Sequence, residues 1–253
     1  MSSITISLAL TLALTSLTGP GNRDQADPPP APPGRIRIVL LGDSITKGVR
    51  AGVRLDETFG ALVERDLRHE GVDVEVINLG IGGERTDQAL QRLEQVDRQR
   101  PAIVAIMYGT NDSYVDRGSD QSRVTPERYR AGLIEMVDRF RSRGIRPILM
   151  TEPRWADDAP LNGLDESPND RLAVYVAQCR EVARDRKVPL VDHFEHWTNA
   201  RSRGQNLTEW TTDGCHPNAA GHRELARGLL RVLRSEIEGG KPKKPSASPI
   251  RTP

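Results

Sequence analysis

Ile36-Arg-Ile-Val-Leu-Leu-Gly-Asp-Ser-Ile-Thr46 is a short apolar, β-branched run that stops at a glycine and hands over to an Asp-Ser pair. A run of this length bounded by a turn residue reads as a buried strand, here Ile36 to Leu41. Four further runs of the same kind follow at Val74 to Leu79, Ile103 to Met107, Pro147 to Met150 and Pro189 to Val191. Between them lie segments of helical period. The first spans about Thr58 to His69 and is closed by Gly71, and the second carries Leu90, Leu93 and Val96 and stops before Pro101. Thr125-Pro126 and Ser167-Pro168 each pair a capping hydroxyl with a proline in the first turn, so each predicts a helix start. The first of these helices presents Leu133, Met136, Val137 and Phe140 and ends at Gly144; the second presents Leu172, Tyr175, Cys179 and Val182. A last helix begins near Pro217 and presents Leu225, Leu229 and Val232. Strands alternating with amphipathic helices predict an α/β domain of three α/β/α layers around a five-stranded parallel sheet, with right-handed crossovers.

In such sheets functional groups collect at the carboxyl ends of the strands. After strand one stand Asp43 and Ser44; after strand two, Gly80-Ile-Gly-Gly-Glu84; after strand three, Gly109-Thr-Asn-Asp112; before the last helix, Asp213-Gly-Cys-His-Pro217. A serine hydroxyl becomes a nucleophile when a base takes its proton, and a carboxylate fixes the tautomer of that base. The three-residue spacing lets Asp213 reach Nδ1 of His216 while Nε2 faces Ser44. The Ser44 amide, an amide at Gly83 and the Asn111 side chain supply donors for an oxyanion, each worth about 3 kcal/mol of barrier.

These four blocks resemble the SGNH/GDSL hydrolases, whose pattern is Gly-Asp-Ser, a glycine in the second block, Gly-x-Asn-Asp and Asp-x-x-His-Pro. The resemblance covers about Arg35 to Ile237 and implies a flavodoxin-like fold and serine esterase chemistry. By position it makes Ser44 the nucleophile, His216 the base, Asp213 its orienting acid, and Gly83 and Asn111 oxyanion partners. Cys215 stands where that pattern has an aliphatic residue. Taken singly, each residue has a plainer reading: Ser44 and His216-Pro217 as helix starts, Asn111 and Asp112 as turn formers, Gly80 to Gly83 as a tight turn. Four blocks in order at strand ends favour the catalytic reading.

Two long irregular segments, Asp112 to Val124 and Glu152 to Ser167, are expected to wall the site. They are polar, with Tyr114 and Trp155 as aromatic surfaces, and Trp210 lies just upstream of Asp213. Asp43, Asp112, Trp155 and Trp210 are therefore expected to contact substrate. A groove for a long acyl chain is mostly apolar. The expected substrate is thus a small-molecule or glycan ester with a short acyl group, acetyl first. Rival readings are a lysophospholipase, arylesterase or thioesterase on longer acyl groups, and a silent sugar-binding or surface protein.

Composition excludes other classes. Lys plus Arg number 36 against 35 Asp plus Glu, a net charge of +1 with signs interspersed, so no pull toward nucleic acid or an anionic membrane follows. No phosphate-loop or dinucleotide fingerprint is complete, and no cofactor is expected. His193 and His196 stand at helical spacing but are read as packing groups, with no metal. Two cysteines, Cys179 and Cys215, exclude a disulfide scaffold; one disulfide stays open, and the favoured reading has Cys179 buried on a helix and Cys215 free near the site. Residues 4–17 form an apolar run of signal-peptide length, although no Lys or Arg precedes it. The expected organisation is a signal peptide over 1–20 with export, a Pro-rich linker over 21–34, the hydrolase domain over 35–238 and a disordered tail over 239–253.

Overall fold

The run that opens the domain forms the centre of the sheet. In the computed structural model, which describes residues 31–48, 50 and 52–239, the strands are β1 (Ile36–Gly42), β2 (Val74–Asn78), β3 (Ile103–Met107), β4 (Arg146–Thr151) and β5 (Leu190–Asp192). The expected signal segment, most of the linker and almost all of the tail lie outside the described residues. The helices in chain order are α1 (Ser44–Lys47), α2 (Phe59–His69), α3 (Thr86–Ala89), α4 (Leu93–Arg98), α5 (Thr110–Ser113), α6 (Pro126–Ser142), α7 (Pro168–Arg186), α8 (His193–Ser202) and α9 (Ala219–Gly239).

All strand pairs are parallel, in the order β2-β1-β3-β4-β5. The chain leaves β1 to one side for β2 and returns to the other side for β3. That reversal opens a crevice beyond the carboxyl ends of β1 and β3, the place where open α/β sheets bind ligands. The strand residues divide by face. Ile38, Leu40, Ile103, Ala105, Met107, Ile148, Met150 and Val191 pack on Phe59, Val63 and Leu67 of α2, Trp197 of α8 and Leu225, Leu229 and Leu233 of α9. Val39, Leu41, Val104, Ile106 and Leu149 pack on Leu93 and Val96 of α4, Leu133, Met136, Val137 and Phe140 of α6 and Tyr175, Cys179 and Val182 of α7. Each fully buried aliphatic side chain contributes about 1.5–3 kcal/mol, far more than helix propensity, so the two apolar faces decide the layers.

Thr125 and Ser167 cap α6 and α7, accepting from Arg128 N at 3.4 Å and Asn169 N at 3.3 Å. The expected helix through Leu90, Leu93 and Val96 is broken instead. α3 passes into a single 3-10 turn, Leu90–Arg92, before α4 begins. The break falls at Arg92, whose backbone leaves the helical range (φ −124°) while its guanidinium reaches Glu84, Tyr108 Oη and the Leu79 carbonyl. α8 directly follows β5. Asp192 caps it by accepting from Glu195 N at 3.0 Å.

Candidate active site

Gly42 ends β1 where a side chain has no room: an added Cβ would lie 2.1 Å from Thr46 Oγ1 and 2.6 Å from the Met107 carbonyl. The chain can therefore turn sharply against β3. Asp43 then caps the single turn α1, its Oδ1 accepting from Ile45 N at 2.8 Å. Ser44 is the first residue of that turn, at the carboxyl end of the central strand.

The opposing side is built by the turn before α9. Thr212 N donates to the His216 carbonyl at 2.8 Å, and Asn218 Oδ1 accepts from Ala220 N at 2.9 Å, starting α9. Asp213 Oδ1 accepts from the backbone of His216 at 2.8 Å and of Cys215 at 3.2 Å. The carboxylate is thus locked by its own turn. His216 Nδ1 lies 2.8 Å from Asp213 Oδ2 and 3.1 Å from Oδ1, and His216 Nε2 lies 2.9 Å from Ser44 Oγ. The loop after β4 braces this turn, with Ala156 N donating to the Gly214 carbonyl at 2.8 Å.

Electrostatics suit a base that waits neutral. Burial pulls His216 below the ordinary imidazole range; the Asp213 carboxylate opposes the shift and the Arg50 guanidinium adds to it. Burial alone would raise Asp213, yet the His216 backbone and ring and Arg50 bring it down to about 2. Arg50, in the loop after α1, holds Nη2 2.9 Å from Asp213 Oδ2 and 2.8 Å from His216 Nδ1. Sequence reasoning missed it, and a loop arginine outside the four blocks carries no motif signal.

The donor side is formed by the loops after β2 and β3. Gly83 adopts the left-handed region (φ +77°), and Gly82 turns its open face to Ser44, where an added Cβ would stand 4.0 Å from that of Ser44. Asn111 Nδ2 donates to Asp43 Oδ2 at 2.8 Å and to the Glu84 carbonyl at 3.2 Å. Its amide is therefore held in a fixed orientation between blocks one and two. Glu84 is itself fastened by Tyr108 Oη at 2.6 Å and by the Arg92 guanidinium.

Two expected substrate contacts are corrected. Asp43 and Asp112 are both 0% exposed. Asp43 serves Ile45 and Asn111, while Asp112 Oδ1 accepts from Thr86 N at 3.0 Å and from the Thr86 hydroxyl. On the single turn α5, Asn111 and Asp112 point different ways, and only Asn111 stays partly open. Burial pushes Asp43 up to about 7 and Asp112 up to about 6. Glu152, at the end of β4 and 1% exposed, is driven well above the carboxylate range by burial and by Asp43 and Asp112.

Of the two tryptophans, Trp155 stacks on Tyr114 with centroids 6.1 Å apart, and the Arg123 guanidinium lies 4.9 Å from the other ring partner, Tyr114. Trp210 is half-buried. Its ring meets Trp197 of α8 edge-on at 5.1 Å and stacks on His196 at 6.2 Å, and the part left open keeps it a candidate substrate contact. His196 Nε2 pairs with Glu224 at 3.0 Å, and burial pulls His193 down to about 3. Among the described residues no group of three or more His, Cys, Asp or Glu side chains is arranged to hold a metal. Cys179 and Cys215 are both buried free thiols.

Residues 40–224 match the model of the GDSL-like Lipase/Acylhydrolase family. The chain is 28% identical over 216 residues to the isoamyl acetate-hydrolyzing esterase 1 homolog of Mus musculus, covering 79% of this chain and 82% of that protein. Among solved structures, a lipase/acylhydrolase from Enterococcus faecalis superposes with a TM-score of 0.64 at 30% identity, covering 83% of this chain and 99% of that one. A catalytic mutant of Axe2, an acetylxylan esterase from Geobacillus stearothermophilus, gives 0.65 at 26% identity, covering 78% and 93%.

Proposed function

The chain belongs to the GDSL-like lipase/acylhydrolase family and is a carboxylic ester hydrolase, and we propose that it works through an acyl-enzyme on Ser44. The observation that carries this reading is the continuous contact Ser44 Oγ–His216 Nε2–Asp213, at 2.9 and 2.8 Å, at the carboxyl end of β1. In the acylation step Ser44 Oγ attacks the ester carbonyl as its proton passes to His216 Nε2. The imidazolium is stabilised by Asp213. The tetrahedral oxyanion accepts from the Ser44 and Gly83 amides and from Asn111 Nδ2, which gives up its longer contact with the Glu84 carbonyl. Collapse expels the alcohol, which takes the proton from His216. A water then repeats the sequence, with His216 again as base, and releases the acid.

For the substrate we favour a short acyl ester, acetyl first, with a polyhydroxylated alcohol part. Supporting this are the ion-paired walls, Arg123–Asp116 and Arg154–Asp157, and the stacked Tyr114–Trp155 face, which suits a sugar ring. The acetate ester named for the mouse relative and the acetylxylan esterase activity named for Axe2 agree with it. One observation favours longer acyl groups. A groove of about 450 Å³ runs beside α2, lined by Leu55, Ala61 and Val76 with Glu64, Arg65 and Arg68 at its charged side, and Asn78, also in its lining, donates from Nδ2 to the Thr46 carbonyl of the nucleophile turn.

Ser44→Ala is expected to abolish both ester turnover and fluorophosphonate labelling while leaving the melting curve unchanged; labelling that persists would refute the assignment. The apolar run 4–17 supports export. N-terminal sequencing of protein from a periplasmic or culture-medium fraction tests that, and recovery only from cytoplasm as the full-length chain would refute it. Among the described residues no helix is long and apolar enough to cross a membrane.

A further inference from the structure

We propose that Arg50 is a positioning residue that acts through Asp213 and His216: its guanidinium steadies the carboxylate and disfavours a second positive charge on the imidazole, which extends ester hydrolysis to lower pH. The proposal rests on Ser44, His216 and Asp213 being the reacting set. Its ground is a contact that a Ser-His-Asp arrangement does not require. One nitrogen, Arg50 Nη2, stands 2.9 Å from Asp213 Oδ2 and 2.8 Å from His216 Nδ1.

Only one hydrogen can lie on the line into Nδ1. Both Asp213 oxygens are within 3.1 Å of that nitrogen, and two acceptors so close hold a proton on it. Arg50 therefore donates to Asp213 and stays beside the ring as a charge. The need for such a partner follows from exposure. The Asp213 side chain is 44% exposed, so water competes for its lone pairs unless a fixed donor occupies one. His216 is only 17% exposed, so a neighbouring charge is weakly screened there.

The other groups facing His216 do not supply this effect. Ser44, from α1, is neutral, and Cys215 on the same turn is a buried thiol that burial pushes well above its ordinary range. The loop after β4 meets the turn through the Ala156–Gly214 backbone bond. Asp213 pulls toward the imidazolium, and Arg50 is the cation that opposes it. The cation has a second consequence. A base kept neutral is also a weaker base, so Arg50 exchanges some plateau rate for activity in acid.

The test compares the pH dependence of kcat/KM for p-nitrophenyl acetate in wild type, Arg50→Gln and Arg50→Lys. In Arg50→Gln the acid limb should move to higher pH, lowering kcat/KM about threefold to tenfold at a pH on the wild-type limb, with an equal or higher plateau. Arg50→Lys keeps the charge and should retain a limb close to that of wild type. Arg50 is 40% exposed, so both variants should melt with the wild type. Coincident limbs in wild type and Arg50→Gln would overturn the proposal, as would a shift to lower pH. A limb in Arg50→Lys that follows Arg50→Gln would show that a cation at this position does not set the limb, and would also overturn it. Absence of hydrolysis in the wild type would instead refute the esterase reading itself, so the two failures are distinct.

Discussion

Replacing Asp213 by Asn changes one atom and should cost about four orders of magnitude in kcat. The position of that atom follows from the turn. Oδ1 accepts two backbone N–H groups, from His216 at 2.8 Å and Cys215 at 3.2 Å, which only the amide oxygen of Asn can continue to do. The new NH2 group therefore takes the place of Oδ2, 2.8 Å from His216 Nδ1 and 2.9 Å from Arg50 Nη2. It must donate to Nδ1, which moves the ring proton to Nε2 and aims it at Ser44 Oγ. A base in that tautomer cannot accept the serine proton. The loss of orientation and of imidazolium stabilisation is worth about 10⁴ in kcat, or about 5 kcal/mol of barrier. Stability should hardly change. The lost Arg50 ion pair joins two side chains 40% and 44% exposed, which is worth at most about 1 kcal/mol. Steady-state hydrolysis of p-nitrophenyl acetate, with thermal melts in parallel, checks both parts. A kcat within tenfold of wild type at unchanged Tm would refute the role assigned to Asp213.

Asp112 is pushed from 3.8 up to about 6 by burial, so the folded state holds a proton that the unfolded chain has released between those values. Stability from this group is present below about pH 4 and is lost as pH rises to about 6, by up to about 3 kcal/mol. Asp112→Asn keeps an acceptor for Thr86 and should remove that decline, so its Tm relative to wild type should rise between pH 4 and pH 7; a constant difference would refute the buried-carboxyl reading. Acetyl esters should have higher kcat/KM than octanoyl esters below micellar concentrations. A groove that buried the longer chain would instead add about 0.8 kcal/mol per methylene, and octanoate outperforming acetate would transfer the assignment to the long-acyl reading.

The strands and long helices were legible because their signals are local. The short apolar β-branched runs, the Thr125-Pro126 and Ser167-Pro168 caps and the glycines at helix ends all appear within a few residues of what they determine. The four motif blocks were legible as well, since a sheet with this connectivity brings strand ends together. Side-chain direction was not. Asp43 and Asp112 flank Ser44 and Asn111 in sequence, and on a single helical turn adjacent residues point apart, so one of each pair is buried. The broken helix before β3 coincides with Arg92, in the 3-10 turn, meeting Glu84 in the loop after β2, a contact that no periodicity records. α8 carries a local sign as well, Asp192 three residues before Glu195, a capping pair.

The loop after β4 is bonded to more than its own ends, and this bears on how the enzyme can acquire new substrates. Ala156 N joins it to Gly214 in the acid-base turn, and Gly163 N joins it to the Val115 carbonyl in the loop after β3, at 2.8 Å in each case. The two walls and the turn that carries Asp213 and His216 thus form one mechanical piece. A wall grafted from a relative would arrive without its two backbone sockets and would disturb the Asp213–His216 turn before it met any ligand. The unit of exchange in this scaffold is therefore three segments moved together. Single changes at outward side chains such as Leu161 leave those sockets intact.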